Sequence, residues 1–395
     1  MMQDVSEAAP HTVAPRAEVV VDLDAVRDNV ALLADQAARS GAATMAVVKA
    51  DGYGHGAVPV ANTALAAGAS WLGVCTLDEA LELRQAGITA PILSWLHLPG
   101  EAFAPAVATN VDLSVSSVRH LAAVVEAAHV VGRAARVHLK LDSGLSRNGA
   151  QPSVWADLVD AAAKAAADGS AEVVAVWSHL AHADAPRHTT LDRQAQRLEQ
   201  AYRVAVERGL RPMRHLANSA ATLTRPDLHY DLVRPGIAVY GLDPLGRPPA
   251  QTPLRPAMTF RTRVALVKRV PAGEGVSYGH EWTTPRPATL ALLPVGYADG
   301  VPRRLGGRLE VLLAGRRRQV VGRVCMDQVV VDCGDDRVEE GERAILFGPG
   351  DDGEPTAQEW ADALGTIHYE VVTAMSDRRV TRTVAGSAPG TVLGE

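Results

Sequence analysis

The sequence predicts an α/β protein, a (β/α)8 TIM-like barrel followed by a C-terminal mostly-β domain. Three observations carry that expectation. The 395-residue length exceeds one ordinary domain. Eight short apolar runs alternate with amphipathic helical stretches between residues 44 and 241. After about residue 250 the texture changes to short strand-like runs between Gly/Pro turns.

The eight runs are "TMAVVKA" (44–50), "WLGVCT" (71–76), "PILSWL" (91–96), "VDLSVS" (111–116), "VHLKLD" (137–142), "VVAVWSHL" (173–180), "MRHLANS" (213–219) and "LVRPGIAVYG" (232–241). Helical patterns such as "LDEALELRQAG" (77–87) and "HLAAVVEAAHVVG" (120–132) fill the gaps, with Gly87 and Gly132 where C-caps belong. The opening "AEVVVDLDAVRDNVALLADQAA" reads as a strand and then a helix. The expected organisation is a tail over 1–15, a barrel over 16–250, a β domain over 251–384 and a tail over 385–395.

Composition narrows the function classes. Net charge is −6 with pI near 6.1, which argues against a nucleic-acid or anionic-membrane surface. Cys75, Cys325 and Cys333 form no CxxC pair, so neither a disulfide framework nor a zinc knuckle is expected, and no metal. No apolar run approaches a membrane span, and the first sixteen residues lack the apolar core of a signal peptide. A cytoplasmic protein is the expectation.

Chemistry in such a barrel gathers at the C-terminal ends of the strands. Lys49 closes the first run, His179 the sixth, His215 to Ser219 the seventh, and Arg234 to Ile237 lie on the eighth. Lys49 is one of only four lysines against 35 arginines. A surface cation can be either type, but a residue that sheds its proton and attacks a carbonyl cannot be arginine. A lysine snorkelling at a strand end satisfies the same spacing. So does a dinucleotide loop, since Gly52, Gly54 and Ala57 fit G-x-G-x-x-A and Glu79 or Glu82 stands at ribose distance.

"AVVKADGYGHG" (46–56) resembles the cofactor-lysine motif of alanine racemases. "HLKLDSGLSRNG" (138–149), "HLANSAA" (215–221), "VRPGIAVYG" (233–241), "GVSYGHEWTT" (275–284), "LPVGYADGVPR" (293–303) and "VGRVCMDQVVVD" (321–332) resemble further motifs of that family, in its order. The resemblance implies a pyridoxal-phosphate-dependent racemase of alanine that supplies D-alanine for peptidoglycan. It implies the same two-part architecture, with the strand before Asp22 packed on the C-terminal domain.

It also implies roles. Lys49 carries pyridoxal phosphate and serves as the base on one substrate face, with Tyr278 as the base on the other. Tyr53, Ser219, Gly236 and Ile237 hold the phosphate. Arg234 faces the ring nitrogen, and His179 and Arg234 are the cations near Tyr278. Arg147 and Met326 bind the substrate carboxylate. Lys140 is carbamylated and orients Arg147. Tyr297 lines the access channel, while His215, Asn218 and Asp327 support the site. The active sites lie at the interface of a homodimer, with no nucleic-acid or membrane partner. One departure stands out: where the family has a gate tyrosine, this chain has Asp377 and Arg378. The rival readings are a racemase of another small amino acid such as serine, a non-catalytic pyridoxal-phosphate-binding barrel, and a Rossmann oxidoreductase.

Overall fold

The structure is a computed structural model that describes residues 15–248, 251–375 and 379–386. Asp377 and Arg378 lie outside the described residues. The chain divides into two compact units. One comprises Val21–Met258 with the segment from Val384, and the other the segment to Val20 with Thr259–Thr383.

Strand β1 (Ala17–Asp22) leads into a helix over Leu23–Ala38. Asp22 starts that helix, its carboxylate accepting from the Asp24 and Ala25 amides at 2.9 and 3.0 Å. The barrel strands follow: β2 (Ala43–Val47), β3 (Trp71–Val74), β4 (Ile92–Ser94), β5 (Asp112–Val115), β6 (Ala135–Lys140), β7 (Ala171–Trp177), β8 (Met213–His215) and β9 (Leu232–Val233). All the paired neighbours are parallel, in the order β8-β7-β6-β5-β4-β3-β2-β9. Between β8 and β9 the ring is joined by a parallel bridge at Asn218 and Arg234 and by the Arg234 amide donating to the Ala217 carbonyl at 2.9 Å.

The barrel is a packed core rather than a pore. Met45, Trp71, Leu93, Val174 and Leu232 form one buried cluster with Ala43, Trp95 and Met213 against it. Strands β3, β4 and β5 are buried at every position, because helices cover the outside and side chains fill the inside. Gly73 is part of that fit: a Cβ there would stand 2.7 Å from the Trp95 ring and 2.9 Å from the Met45 sulfur. The absence of a side chain lets Trp95 lie across β3.

The remaining strands are β10 (Met258–Arg263), β11 (Leu266–Val270), β12 (Gly275–Val276), β13 (Trp282–Thr283), β14 (Ala288–Leu293), β15 (Glu310–Leu313), β16 (Arg316–Val321), β17 (Val329–Gly334), β18 (Arg343–Phe347) and β19 (Thr381–Ala385). Nine strands form one sheet in the order β11-β14-β17-β16-β15-β18-β10-β1-β19, and β12 pairs with β13 as a separate hairpin. In β17 and β1 buried and half-buried positions alternate, as expected for a sheet covered on one face. Val276, Leu290 and Val321, with Trp282 against them, anchor the hairpin to the sheet.

Two segments depart from the expected pattern. The eighth run is strand only at Leu232–Val233. Pro235 has no amide to donate, and the chain turns at Gly236 into a 3-10 helix over Ile237–Tyr240. The seventh run ends as strand at His215, and Asn218 caps a helix over Ser219–Thr224. The β unit also holds helices over Ala357–Leu364 and His368–Thr373, consistent with a mostly-β rather than all-β domain. No helix among the described residues is long and apolar enough to cross a membrane.

Candidate active site

Lys49 stands two residues beyond β2, at the start of a left-handed turn. Ala50, Asp51, Gly52 and Tyr53 all have φ between 50° and 60°, and Gly54 follows at 82°. Each non-glycine residue there costs about 1–2 kcal/mol. Surrounding groups hold the strain in place, as is common at functional sites. Glu79 accepts from the Ala50 amide at 2.7 Å, Asp51 from the Ala57 amide at 2.8 Å, and the Tyr240 hydroxyl donates to the Val47 carbonyl at 3.0 Å. Glu79 also accepts from the Cys75 and Thr76 amides, at 2.7 and 3.1 Å. Its carboxylate is therefore committed to backbone, which takes Glu79 away from the ribose role a dinucleotide loop would give it. The Lys49 Nζ is 5.9 Å from each of the Tyr53 and Trp95 ring centres.

The turn carries Tyr53 inward. A Cβ on Gly236 would collide with the Tyr53 hydroxyl, so only glycine allows this approach. The Gly236 and Ala238 amides donate to the Ser219 hydroxyl at 2.7 and 3.3 Å. Tyr53, Ser219, Gly236 and Ile237 thus converge at the seam between β8 and β9.

Arg234 is buried beside them. It donates to the Ser178 carbonyl at 2.9 Å, the Leu216 carbonyl at 3.2 Å and the His215 Nδ1 at 2.9 Å, and approaches the His179 Nδ1 at 3.4 Å. Burial pushes its pKa down to about 9. Two basic groups lie over the Trp177 ring system, the Arg234 guanidinium at 4.8 Å and the Lys140 amine at 4.3 Å. Burial first, and then the Arg234 and Arg147 charges, lower the Lys140 pKa to about 7. Asp142 does not pair with Lys140. It accepts instead from the Gly144 and Ser146 amides at 2.9 and 3.0 Å. Arg147 is exposed on that same loop.

The barrel site is strongly electropositive. Among the described residues Lys49, Lys140, Arg147 and Arg234 make no ion pair. All four press on His179, whose pKa is held well below the ordinary value by burial first and by these cations next. The expectation that His179 acts as a cation therefore needs correction: its imidazole is neutral, and Arg234 supplies the charge.

The second group of expected residues lies in the β unit. Tyr278 sits at the tip of the β12–β13 hairpin, 72% exposed. Ser277 before it has φ 62°, and its hydroxyl donates to the Arg323 carbonyl at 2.8 Å. The Tyr297 and Ala298 amides donate to the Cys325 and Met326 carbonyls, both at 3.0 Å, which ties the "GYADG" and "CMD" loops together. Gly296 permits that contact, since a Cβ there would collide with the Cys325 and Met326 carbonyls. Asp299 accepts from the Gly296 amide at 3.0 Å and pairs with Arg16 at 2.6 Å and Arg379 at 3.1 Å. Asp327 pairs with Arg379. Met326 is half exposed, and its amide donates to no backbone acceptor among the described residues.

Several contributing residues were not singled out from sequence: Trp95, Asp112, His138 and Trp177, while Glu79 was read only as a possible ribose contact. A signal existed for His138, which lies two residues before Lys140 and so on the same strand face. A signal also existed for Glu79, since Thr76 to Glu79 fits the T-x-x-E capping box that the structure forms.

Comparison with known proteins agrees with this geometry. The family profile "Alanine racemase, N-terminal domain" matches residues 21–244, and "Alanine racemase, C-terminal domain" matches 257–384. The chain is 59% identical to an alanine racemase of Salinispora tropica, over 95% of this chain and all of that protein. It is 55% identical to one of Mycobacterium ulcerans, over 92% of this chain and 93% of that protein. Among solved structures, alanine racemase from D-cycloserine-producing Streptomyces lavendulae superposes with a TM-score of 0.92 at 51% identity, covering 95% of this chain and 98% of that one. The chain belongs to the alanine racemase family, and its activity is that of an isomerase acting on alanine.

Proposed function

We propose that the protein is a pyridoxal-phosphate-dependent racemase that interconverts L- and D-alanine with Lys49 and Tyr278 as opposed bases, supplying D-alanine for peptidoglycan. The single observation that carries the cofactor assignment is the electropositive barrel site. Lys49, Arg147 and Arg234, none in an ion pair among the described residues, and the buried Lys140 act on the same His179 in the barrel that also holds a glycine-permitted cradle at Tyr53, Ser219, Gly236 and Ile237. Such a site suits a ligand with a phosphate and an acidic ring substituent. Pyridoxal phosphate, when bound, supplies an aldehyde that takes up an amine and a ring that withdraws electrons from the amino acid's Cα. A structure of the Bacillus anthracis enzyme, with a TM-score of 0.85 and 36% identity, is described with bound L-Ala-P. That description supports an alanine-like ligand for this site.

The chain's own residues then divide the work. Lys49 holds the cofactor through its amine. It afterwards removes or returns a proton at Cα from its side. Ser219, Tyr53 and the Gly236 and Ile237 backbone bind phosphate, while Arg234 offers only donors toward the ring nitrogen. Arg147 and the Met326 amide bind the substrate carboxylate. Tyr278 moves the proton on the opposite face, because one group does not reach both sides of a planar carbanion. That tyrosine comes from the second subunit of a homodimer.

The test is direct. The purified protein forms D-alanine from L-alanine faster than D-serine from L-serine at equal concentration, and borohydride fixes the cofactor on Lys49. Label on Lys140, Lys164 or Lys268, or a preference for serine, refutes the reading.

Lys140 carries a second proposal, its carbamylation. With a pKa near 7 it is largely an uncharged nucleophile in mildly alkaline solution. It can therefore add carbon dioxide there with loss of a proton, and the resulting single negative charge would offset part of the positive charge of Arg147 and Arg234. The expected result is a carbamate 13C resonance from labelled bicarbonate that is strong above pH 7, fades as pH falls below it, and is missing in Lys140→Met. A free ammonium at pH 8 with carbon dioxide present contradicts it.

A further inference from the structure

Arg234 is a buried cation with no carboxylate in contact among the described residues, yet a carboxylate lies at the end of a continuous chain of hydrogen bonds. The Arg234 NH1 meets the His215 Nδ1 at 2.9 Å. The His215 Nε2 meets the His138 Nδ1 at 2.9 Å, and the His138 Nε2 meets the Asp112 Oδ2 at 3.0 Å. Asp112, His138 and His215 are each fully buried. Asp112 opens β5, so the chain runs from the N-terminal end of the barrel to the strand ends where Lys49 stands.

The proton positions follow from donor counting. Guanidinium only donates, so the His215 Nδ1 accepts. The His215 proton is then on Nε2 and points at the His138 Nδ1, which must accept. The His138 proton is in turn on Nε2 and points at the carboxylate, an acceptor only. One arrangement satisfies all three contacts, and in it both imidazoles are neutral. The low pKa of His215, from burial and then from Arg234, agrees with this.

The rings cannot easily turn. His215 stacks on Trp177 with centroids 5.3 Å apart at 18°, and His138 meets the edge of Trp71 at 5.5 Å. At the far end Asp112 also accepts from the Arg136 Nε at 2.7 Å, and Arg136 pairs with Glu172 at 2.8 Å.

We propose that Asp112, His138 and His215 are positioning residues that fix the direction of every hydrogen bond leading to Arg234 and so hold its guanidinium in place for the cofactor ring. The tautomers stand on the geometry alone. The effect on cofactor binding rests on the pyridoxal-phosphate reading.

Asp112→Asn separates this role from simple packing. An amide has one acceptor and one donor end. If its oxygen stays on Arg136, its NH2 faces the His138 Nε2 and reverses both tautomers, which sets a proton on the His215 Nδ1 against Arg234. A single wrong tautomer is costly even where geometry is preserved. His215→Gln can accept from Arg234 and donate to His138, whereas His215→Leu can do neither.

The experiment uses 15N-histidine-labelled full-length protein, with tautomers read from long-range 1H–15N correlations, and titration of apoenzyme with pyridoxal phosphate. In the wild type both rings should carry Nε2–H throughout pH 6–9. Asp112→Asn should move at least one proton to Nδ1 and weaken cofactor binding about tenfold or more. His215→Leu should weaken it similarly, and His215→Gln should restore most of it. An Nδ1–H or doubly protonated ring at either position in the wild type overturns the proposal without any variant. So does Asp112→Asn with unchanged tautomers, or His215→Gln no better than His215→Leu. If the wild type takes up no pyridoxal phosphate, the cofactor reading fails while the tautomers still test the relay.

Discussion

Lys49→Ala is expected to lower alanine racemisation at least about 10³-fold, because covalent attachment of the cofactor and proton transfer on one face are lost together. The fold should survive. Lys49 lies at a strand end, half-buried, and makes no ion pair among the described residues. The left-handed turn after it is held by Glu79, Asp51 and Tyr240 rather than by the lysine. Circular dichroism should therefore match the wild type, and the thermal midpoint should match that of the wild-type apoenzyme, since lost cofactor binding alone lowers the midpoint. The visible absorbance of bound cofactor and its borohydride-fixed label should disappear. Activity within tenfold of wild type would refute the assignment, as would a borohydride label that persists on another lysine.

Tyr278→Phe should cost about 10²–10⁴-fold in racemisation, the usual worth of a positioned proton donor or acceptor. The loss should be one-sided. Lys49 still reaches its own face, so one enantiomer should exchange its α-proton with deuterated solvent while keeping its configuration. The other enantiomer should scarcely react. Since Tyr278 is 72% exposed at a hairpin tip, no core contact is lost with the hydroxyl. Equal slowing of exchange for both enantiomers would point to a disturbed site rather than a missing base.

The parts of the fold that were legible in the sequence are those governed by local patterning. Each of the eight parallel strands falls within or close to its apolar run, because a strand buried on both faces is apolar throughout. The β1 strand and its helix were readable from "AEVVVDLDAVRDNVALLADQAA", an apolar strand-like run followed by a helical stretch. The site residues stood out where residue type was chemically unusual, as with a lysine in an arginine-rich chain. Reading failed where the backbone does what side chains do not announce. Alanine, aspartate and tyrosine in a left-handed turn run against their own preference and depend on Glu79, 29 residues away in sequence from Ala50. The eighth run looked like a long strand because Ile237 to Tyr240 are apolar, yet Pro235 and Gly236 end it. Asp112 was hidden inside an apolar run, and its contact with His138 becomes visible only once β5 and β6 pair. His179 was expected to be a cation, but burial first, and then the neighbouring basic groups, hold its pKa well below the ordinary value.

Mixing two inactive variants tests the central claim, that Lys49 of one subunit and Tyr278 of the partner subunit form one racemising site. Lys49→Ala and Tyr278→Phe chains are co-refolded, and subunit exchange is confirmed by differential tags. Each homodimer carries a defect in both sites. In a two-fold heterodimer one site collects both substitutions and the other collects neither. Random mixing gives about half heterodimers, so roughly a quarter of all sites, and of wild-type activity, should return by that symmetry. If exchange is complete and activity stays at the level of the parent variants, the two bases do not meet across a subunit interface, and the account is wrong.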